Sequence, residues 1–596
     1  MKNTKNNMNR KHCGKVFLIM LGMVAAGMIF AACGKESKGG GSITLSDDGI
    51  TFSGSGATVK KSKITINKGG TYNVSGSISD GQIVVNSDKD VKLVLEGADI
   101  TNESEEVIFV KNGNVTIDVK DENSITNGDK DTYDKIISDS SKDNKDNKNS
   151  NDDKDSDDDK DSDDEKAAHA AIYSKDKLKI TGSGTLNVNG YINNGIQAKG
   201  KLTVDVGKLN IKSSNHGLKS KKNVIVNSGN ITITCAQDGI HSNDEITIND
   251  GEFVINANDD GIHADNTLVI EKGTIDIQKC YEGLEAVDIT VNSGDINIIA
   301  EDDGINACGG KNAFGQDDKA GGNPGNNEKN AGGVMTPGNM SDGERPELPE
   351  DGTMPELSEG ETMPERPDGE RPELPEDGNM PDGERPALPE GETMPDKSED
   401  ETIAEADKGN ESDKSEDSDE SPVFTMNGGK IYIQSGGDGI DSNGDIYIND
   451  GEVTIDAPVR GADSAIDYGI ENGGKAVINS GTVIGLGTSA MAEEFDGDSS
   501  KQCSFTYAMD SQISAGTEIS ISDSSGNVIA TFTTKNGCDC IQYSSDKLKK
   551  GETYTITAGD TTGTIEQTDT AVTNNTKNNA GNNQQKDGWR FSDKSV

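Results

Sequence analysis

The feature that most constrains the fold of this chain is a glycine that returns at a fixed interval. Each of these glycines precedes Ile or Leu, and the apolar residues around them keep the same register. Within a unit, apolar and polar residues alternate, as in "VIVNSGNITIT", which is typical of β-strands joined by Asn- and Gly-containing turns. The glycines, at spacings of 22, 22, 22, 22 and 21 residues, are Gly195, Gly217, Gly239, Gly261, Gly283 and Gly304.

A strand–turn–strand unit of this length cannot bury its own apolar face, whereas stacked units bury each other's faces. Equivalent apolar positions line up in columns, for example Val224, Ile246, Leu268 and Ile289. The repeat therefore predicts an all-β fold, namely a right-handed parallel β-helix with coils of about 22 residues.

Two acidic inserts interrupt this repeat. The next such glycine after Gly304 is Gly439, and removal of residues 311–423 restores the register. This insert is rich in Pro, Glu and Gly, and a second insert at about 128–166 is rich in Asp and Lys. Both compositions predict disorder, because such segments have too few apolar residues to form a core.

The chain divides into five segments by composition. A basic start followed by an apolar run predicts a signal peptide of lipoprotein type at 1–32, with a polar tether at 33–42. The β-helix is expected over 43–489, including both inserts. The repeat is lost afterwards, so we expect a small C-terminal β cap at 490–567 and a disordered tail at 568–596.

The junction "FAACGKE" predicts the cellular location. It is similar to a bacterial lipobox, which would place a lipid on Cys33 and hold the protein at the extracellular face of the cell membrane. Plain signal cleavage is the alternative. The protein is expected to be a monomer that contacts the membrane only through this lipid.

The charge of the chain favours cations as partners. Its formal net charge is −49, from 106 acidic and 57 basic residues, although the inserts contribute much of this excess. Nucleic acids and anionic membrane surfaces are therefore not expected as partners unless a cation bridges them to this chain.

The position before each repeat glycine is acidic in consecutive coils. Stacking would bring these carboxylates to about 4.8 Å from one another, where two unit charges repel by about 3.5 kcal/mol at an effective dielectric of 20. A second column starts two residues after the glycine and includes His241, His263, Glu285, Asp441 and Asp463. Clustered carboxylates are the hard oxygen ligands that Ca²⁺ prefers. The predicted Ca²⁺ ligands are Asp238, Asp259, Asp260, Glu282, Asp302, Asp303, Asp438 and Asp441.

Two other interpretations of these columns stay open. Asp-Gly is common in turns, with the glycine at positive φ and the Asp hydrogen-bonded to backbone, so each "DGI" could be purely structural. His241 and His263 could instead form a transition-metal pair.

The "DGI" coils, the opening "GTYNVSGSISDGQIVV" and the closing "GTVIGLGTSAMAEEF" resemble a known family. It comprises the surface-anchored carbohydrate-binding domain proteins of Gram-positive bacteria, β-helical relatives of the family 9 polysaccharide lyases. The similarity runs from about Ile43 to Gly559, without the inserts. The resemblance implies binding of acidic polysaccharides such as polygalacturonate, and of cellulose, with calcium in the β-helix.

The leading hypothesis is calcium-dependent, non-catalytic binding of an extracellular polysaccharide. A second is a pectate-type lyase that uses Ca²⁺-assisted β-elimination, for which Lys279 is the best-placed base. A third is a structural stalk or adhesin. Tyr191 and Tyr281, near coil corners, are the candidate sugar-stacking residues.

Overall fold

A computed structural model describes residues 38–140, 168–308, 421–460 and 463–575. The predicted signal peptide, Cys33, most of both predicted inserts and the end of the predicted tail lie outside these residues.

The regular coils at 245–468 contain three strands each, whereas in those at 178–235 one long strand takes the place of the first two. The first two strands lie on either side of a glycine-containing turn, and the third is the short strand that starts at the Ile or Leu of the repeat. Each strand pairs in parallel with its equivalent one coil further on, for example Ile246 with Leu268 and Ile255 with Ile277. The predicted parallel β-helix is therefore confirmed, and it has about 11 turns.

The elements fall into three groups along the chain. The elements that precede residue 141 are β1 Gly39–Leu45, β2 Thr51–Ser55, β3 Ala57–Lys60, β4 Lys63–Ile66, β5 Gly70–Ile78, β6 Gln82–Asn86, β7 Val91–Asn102, β8 Ile108–Asn112, β9 Val115–Lys120, β10 Glu122–Asn127 and helix α1 Lys130–Ser140.

The regular coils follow. Their strands are β11 Ala170–Ser174, β12 Leu178–Gly190, β13 Asn194–Ala198, β14 Leu202–Ser213, β15 Leu218–Ser220, β16 Asn223–Cys235, β17 Ile240–Ser242, β18 Glu245–Ile248, β19 Glu252–Asn256, β20 Ile262–Ala264, β21 Thr267–Ile270, β22 Thr274–Cys280, β23 Leu284–Ala286, β24 Asp288–Val291, β25 Asp295–Ala300, β26 Ile305–Ala307, β27 Val423–Met426, β28 Lys430–Gln434, β29 Ile440–Ser442, β30 Asp445–Ile448, β31 Glu452–Asp456, β32 Ile466–Tyr468, β33 Ala476–Ile478 and β34 Thr482–Gly487, with a 3-10 turn at Ile470–Asn472.

The last group forms the C-terminal cap. Its strands are β35 Ser504–Ile513, β36 Glu518–Ser522, β37 Val528–Thr533, β38 Cys538–Ser544, β39 Thr553–Ala558, β40 Thr561–Glu566 and β41 Ala571–Thr573.

The interior of the coils is a column of stacked aliphatic side chains. Ile233, Ile255, Ile277 and Ile298 follow one another in register and are fully buried. Burial of such a side chain contributes about 1.5–3 kcal/mol. A long core can therefore form although only 30% of the residues are hydrophobic.

The repeat glycines are required by close packing between coils. A Cβ atom on Gly239 would lie 2.5 Å from the carbonyl oxygen of Gly261 and 2.7 Å from Cγ2 of Ile255. The expectation that these glycines adopt positive φ was wrong, because positive φ belongs to the turn glycines, such as Gly251 at 141°.

The large insert leaves the coil through a short corner. Ala307 pairs with Ala286 of the preceding coil and Val423 pairs with Asp288. In the preceding coil a single residue, Val287, separates Ala286 from Asp288. Ala307 and Val423 therefore occupy positions of the β-helix that are only two residues apart in a coil without an insert.

The structure differs from the sequence prediction at the start of the first insert, where α1 forms. The Tyr133 ring lies 4.8 Å from the Tyr191 ring, and the Tyr133 hydroxyl donates to the carbonyl of Thr234 at 3.5 Å. These contacts fasten α1 to the coils. In the described part of the chain, no helix is long and apolar enough to cross a membrane.

The cap closes the last coil through antiparallel pairing of β38 with β34 and β35, and a four-stranded sheet, β37-β36-β39-β40, packs beside it. Asp456 fixes the junction. Its carboxylate accepts hydrogen bonds from the Thr534 hydroxyl at 2.9 Å, from the Asn536 backbone N–H at 3.2 Å and from the Lys535 N–H.

Candidate functional site

The candidate site follows the third strands of the coils. The residue before each repeat glycine forms what we call the first column, and the residue two after it the second column. The first column contains Asn194, His216, Asp238, Asp260, Glu282, Asp303, Asp438 and Ser464. The second column contains Gln197, Lys219, His241, His263, Glu285, Asn306, Asp441 and Asp467.

The predicted place of Asp463 in the second column was wrong. Asp441 pairs with Asp467, and the Gly439 N–H donates to the carbonyl of Ser464. The coil that follows Gly439 is longer than its predecessors, and Ala465 stands where the repeat would place a glycine.

In the first column, side-chain oxygens accept backbone N–H groups from the next coil. Oδ1 of Asp238 accepts from Asp260 at 3.1 Å, and Oδ1 of Asp260 accepts from Glu282 at 3.2 Å. Oδ1 of Asp303 accepts from Asp438 at 2.6 Å. These aspartates thus have the structural role that turn chemistry suggests. The backbone contact, however, occupies only one oxygen of each carboxylate.

Among the described residues, the side chains of the two columns form four groups of potential ligands. Within a group, one ligand atom from each residue lies within 4.8 Å of the others. The groups are His216–Asp238–His241, Asp238–Asp260–His263, Asp260–Glu282–Glu285 and Asp303–Asp438–Asp441.

His263 supplies positive charge in the middle of the columns. Its Nδ1 lies 2.8 Å from Glu285 Oε2 and 3.1 Å from Asp260 Oδ2, and its Nε2 lies 3.5 Å from Asp265 Oδ1. Burial opposes protonation, but hydrogen bonds to the three carboxylates raise the pKa of His263 well above its usual value. The resulting imidazolium compensates the charge of Glu285 and, against the effect of burial, lowers the pKa of that carboxyl to about 2. Burial and then repulsion from Glu285, Asp238 and Glu282 raise the pKa of Asp260 well above its usual value, although His263 opposes the shift.

In the Asp303–Asp438–Asp441 group, neighbouring carboxylates repel one another. Burial, followed by repulsion from Asp438 and Asp302, raises the pKa of Asp303 to about 9. Burial also raises the pKa of Asp438 to about 8; the Ser464 N–H opposes the shift, while Asp467 and Asp441 add to it. All three ligands offer oxygen, so the group fits a hard cation such as Ca²⁺.

In earlier coils of the columns, histidine nitrogens lie beside a carboxylate. Nδ1 of His216 and Nδ1 of His241 lie 3.2 and 2.8 Å from Oδ2 of Asp238. Burial lowers the pKa of His216 to about 3, so this imidazole is neutral. Burial disfavours the Asp238 carboxylate, but its contacts with the two histidines hold its pKa well below the usual value.

The structure brings together six of the eight predicted ligands. Asp259 and Asp302 belong to none of the four groups, and the Asp302 side chain is hydrogen-bonded to Tyr281. Sequence reasoning did not include His216 and Glu285 among the ligands. Their positions within the two columns are the signal that could have identified them.

The other predicted residues lie elsewhere. Tyr191 is 8% exposed and packs on Tyr133 of α1. Tyr281 is half-buried. The Lys279 ammonium donates to Asn258 Oδ1 at 2.8 Å and lies 3.7 Å from Glu301 Oε1, so this candidate base is paired with a carboxylate.

Comparison with known proteins gives three similarities. Residues 60–315 match the family described as carbohydrate-binding domain-containing proteins. A carbohydrate-binding domain-containing protein of Acetivibrio thermocellus is 32% identical over 161 residues, which are 26% of this chain and 48% of that protein. The chain thus spans about half the length of this relative.

The third similarity is to a solved structure, that of the polysaccharide lyase-like protein from C. thermocellum in a gadolinium derivative. It is 27% identical and has a TM-score of 0.33, with 43% of this chain and 93% of that chain covered.

Proposed function

We propose that this protein binds polysaccharide without cleaving it and that Ca²⁺ at the Asp303–Asp438–Asp441 group takes part in binding. The observation that carries the proposal is the match of residues 60–315 to a carbohydrate-binding family, because this range includes most of the coils that carry the two columns.

The calcium part of the proposal rests on charge. At neutral pH, Asp303 and Asp438 retain protons in the absence of a cation, since their pKa values are raised to about 9 and about 8. A divalent cation would replace these protons and relieve the repulsion between the carboxylates. An acidic polymer such as polygalacturonate would also need a cation, because it and this chain repel each other.

An extended ligand suits the outer surface of the coils. Equivalent outward-facing residues recur at the strand spacing of about 4.8 Å. A long polymer could therefore make several weak contacts at once, and their combined affinity would exceed that of any single contact.

Calorimetry combined with a product assay tests this function. Polygalacturonate and cellulose are titrated into the mature chain with Ca²⁺ or with chelator, and the same mixtures are assayed for unsaturated uronate products. We expect Ca²⁺-dependent heat and no product. Product formation would indicate a lyase, and no heat with either polymer would favour the structural stalk.

We also propose that the protein is lipid-anchored through Cys33 at the extracellular face of the membrane. Labelling with a palmitate analogue tests this location. The wild-type chain should carry label in the membrane fraction, whereas Cys33→Ser should be unlabelled; label that persists in Cys33→Ser would contradict the proposal.

A further inference from the structure

Three histidine rings stack along the coils at the nitrogen-rich end of the columns. The ring centroids of His216 and His241 are 4.5 Å apart, and those of His241 and His263 are 5.1 Å apart. Unlike His263, which is surrounded by carboxylates, His216 and His241 share one carboxylate, that of Asp238.

We propose that His216, Asp238 and His241 form a second metal site, selective for a transition-metal dication such as Zn²⁺. This site is separate from the Asp303–Asp438–Asp441 group and does not depend on carbohydrate binding.

The donor set favours such an ion over Ca²⁺. Two imidazoles and one carboxylate are typical zinc ligands, whereas Ca²⁺ takes oxygen ligands almost exclusively. Zn–N and Zn–O bonds of about 2.0–2.2 Å place tetrahedral ligands about 3.4 Å from each other. The observed separations of 3.2 and 2.8 Å need only small side-chain shifts to reach that value.

The hydrogen bonding of the cluster is incomplete without a ligand. Oδ1 of Asp238 accepts the Asp260 N–H, which leaves Oδ2 for the two histidines. Nδ1 of His216 lies 3.2 Å from Oδ2 but is buried and has no hydrogen-bond partner among the described residues. A cation bound by Nδ1 of both histidines and by Oδ2 would satisfy this nitrogen.

Lys219 competes with a metal for this cluster. Its ammonium nitrogen lies 3.2 Å from Nε2 of His216, and the residue is half-buried at the edge of the second column. Metal binding must overcome repulsion by this charge. Lys219→Met, which keeps most of the length of the side chain but removes the charge, should therefore strengthen binding.

Metal titration of the mature, untagged chain tests the proposal. Ca²⁺ is kept in excess to fill all-oxygen groups, and Zn²⁺ binding is followed by calorimetry. The geometry is followed by the visible spectrum of the Co²⁺ form. We expect one Zn²⁺ per chain and tetrahedral Co²⁺ bands.

Variants separate this site from other histidines. His216→Gln and His241→Gln should each weaken Zn²⁺ binding by at least about tenfold. His169→Gln, a control at a more exposed histidine paired with Glu106, should leave it unchanged. Circular dichroism checks that each variant is folded.

Lys219→Met keeps the test decisive if the glutamine variants do not fold, since it is expected to bind Zn²⁺ several-fold more tightly. The proposal is overturned if the wild type binds no Zn²⁺, if the folded double variant His216→Gln/His241→Gln binds as the wild type does, or if Lys219→Met binds no more tightly.

Discussion

At the residue scale, the acids of the first column combine a structural and a chemical property. Oδ1 of Asn194 accepts the His216 N–H at 3.1 Å just as Asp238 accepts that of Asp260, so an amide serves this contact as well as a carboxylate does. The backbone contact therefore does not explain why acids occupy five successive coils. The proposed cation would explain them.

The raised pKa values predict how stability depends on pH in chelator. In the unfolded chain Asp303 and Asp438 titrate near 3.8, and in the folded protein at about 9 and about 8. Between these values the folded state binds more protons, so their stabilising contribution is lost as pH rises. The melting temperature should fall between pH 6 and 9, and the slope should be shallower in Asp303→Asn/Asp438→Asn. A double variant that keeps the wild-type slope would refute this assignment.

Gly261→Ala tests the close packing of the repeat glycines. The new Cβ would lie 2.6 Å from the carbonyl oxygen of Gly283 and 2.7 Å from Cδ1 of Ile277. We expect a loss of about 1–3 kcal/mol in the free energy of unfolding, measured with urea. Gly428→Ala is the control, because its nearest heavy atom is 3.1 Å away. Equal losses in both variants would show that packing does not select the glycine.

At the element scale, strand register was predictable because each buried column repeats its residue type. The predicted column through Val224 is confirmed pair by pair. The prediction failed at Asp463 because Ala465 replaces the glycine, and a glycine-based alignment cannot detect that change. The approach of His216 and His241 to Asp238 could not be predicted, because the repeat does not encode side-chain directions.

The junction between coil and cap should depend on Asp456, which is 2% exposed. Asp456→Ala would leave three donors at the junction without their acceptor, and each buried, unpaired donor costs about 1–3 kcal/mol. Urea unfolding should show this loss, and limited proteolysis should cut the cap faster. Asp450→Ala, at an exposed aspartate, should change stability by less than about 0.5 kcal/mol. If both variants behave alike, Asp456 does not fasten the cap.

At the scale of the whole molecule, we predict that the fold does not depend on the large acidic insert. Deletion of residues 309–422 joins Cys308 directly to Val423, just as Val287 precedes Asp288 in the preceding coil. The deletion variant should keep the melting temperature of the wild type within a few degrees and should keep Ca²⁺ binding. Scanning calorimetry measures the melting temperature, and its increase on addition of Ca²⁺ reports Ca²⁺ binding. A large loss of stability would mean that the insert contributes to the packing of the β-helix.

The proposed role of the Asp303–Asp438–Asp441 group in polysaccharide binding is tested by one comparison of affinities. The affinity for polygalacturonate in saturating Ca²⁺ is compared between Asp303→Asn/Asp438→Asn and Asp450→Asn/Asp560→Asn, which removes the same charge at exposed positions. Our account predicts that the first variant loses most of its affinity while the second binds at least as well as the wild type. Equal affinity in the two variants would contradict a role for this group in binding.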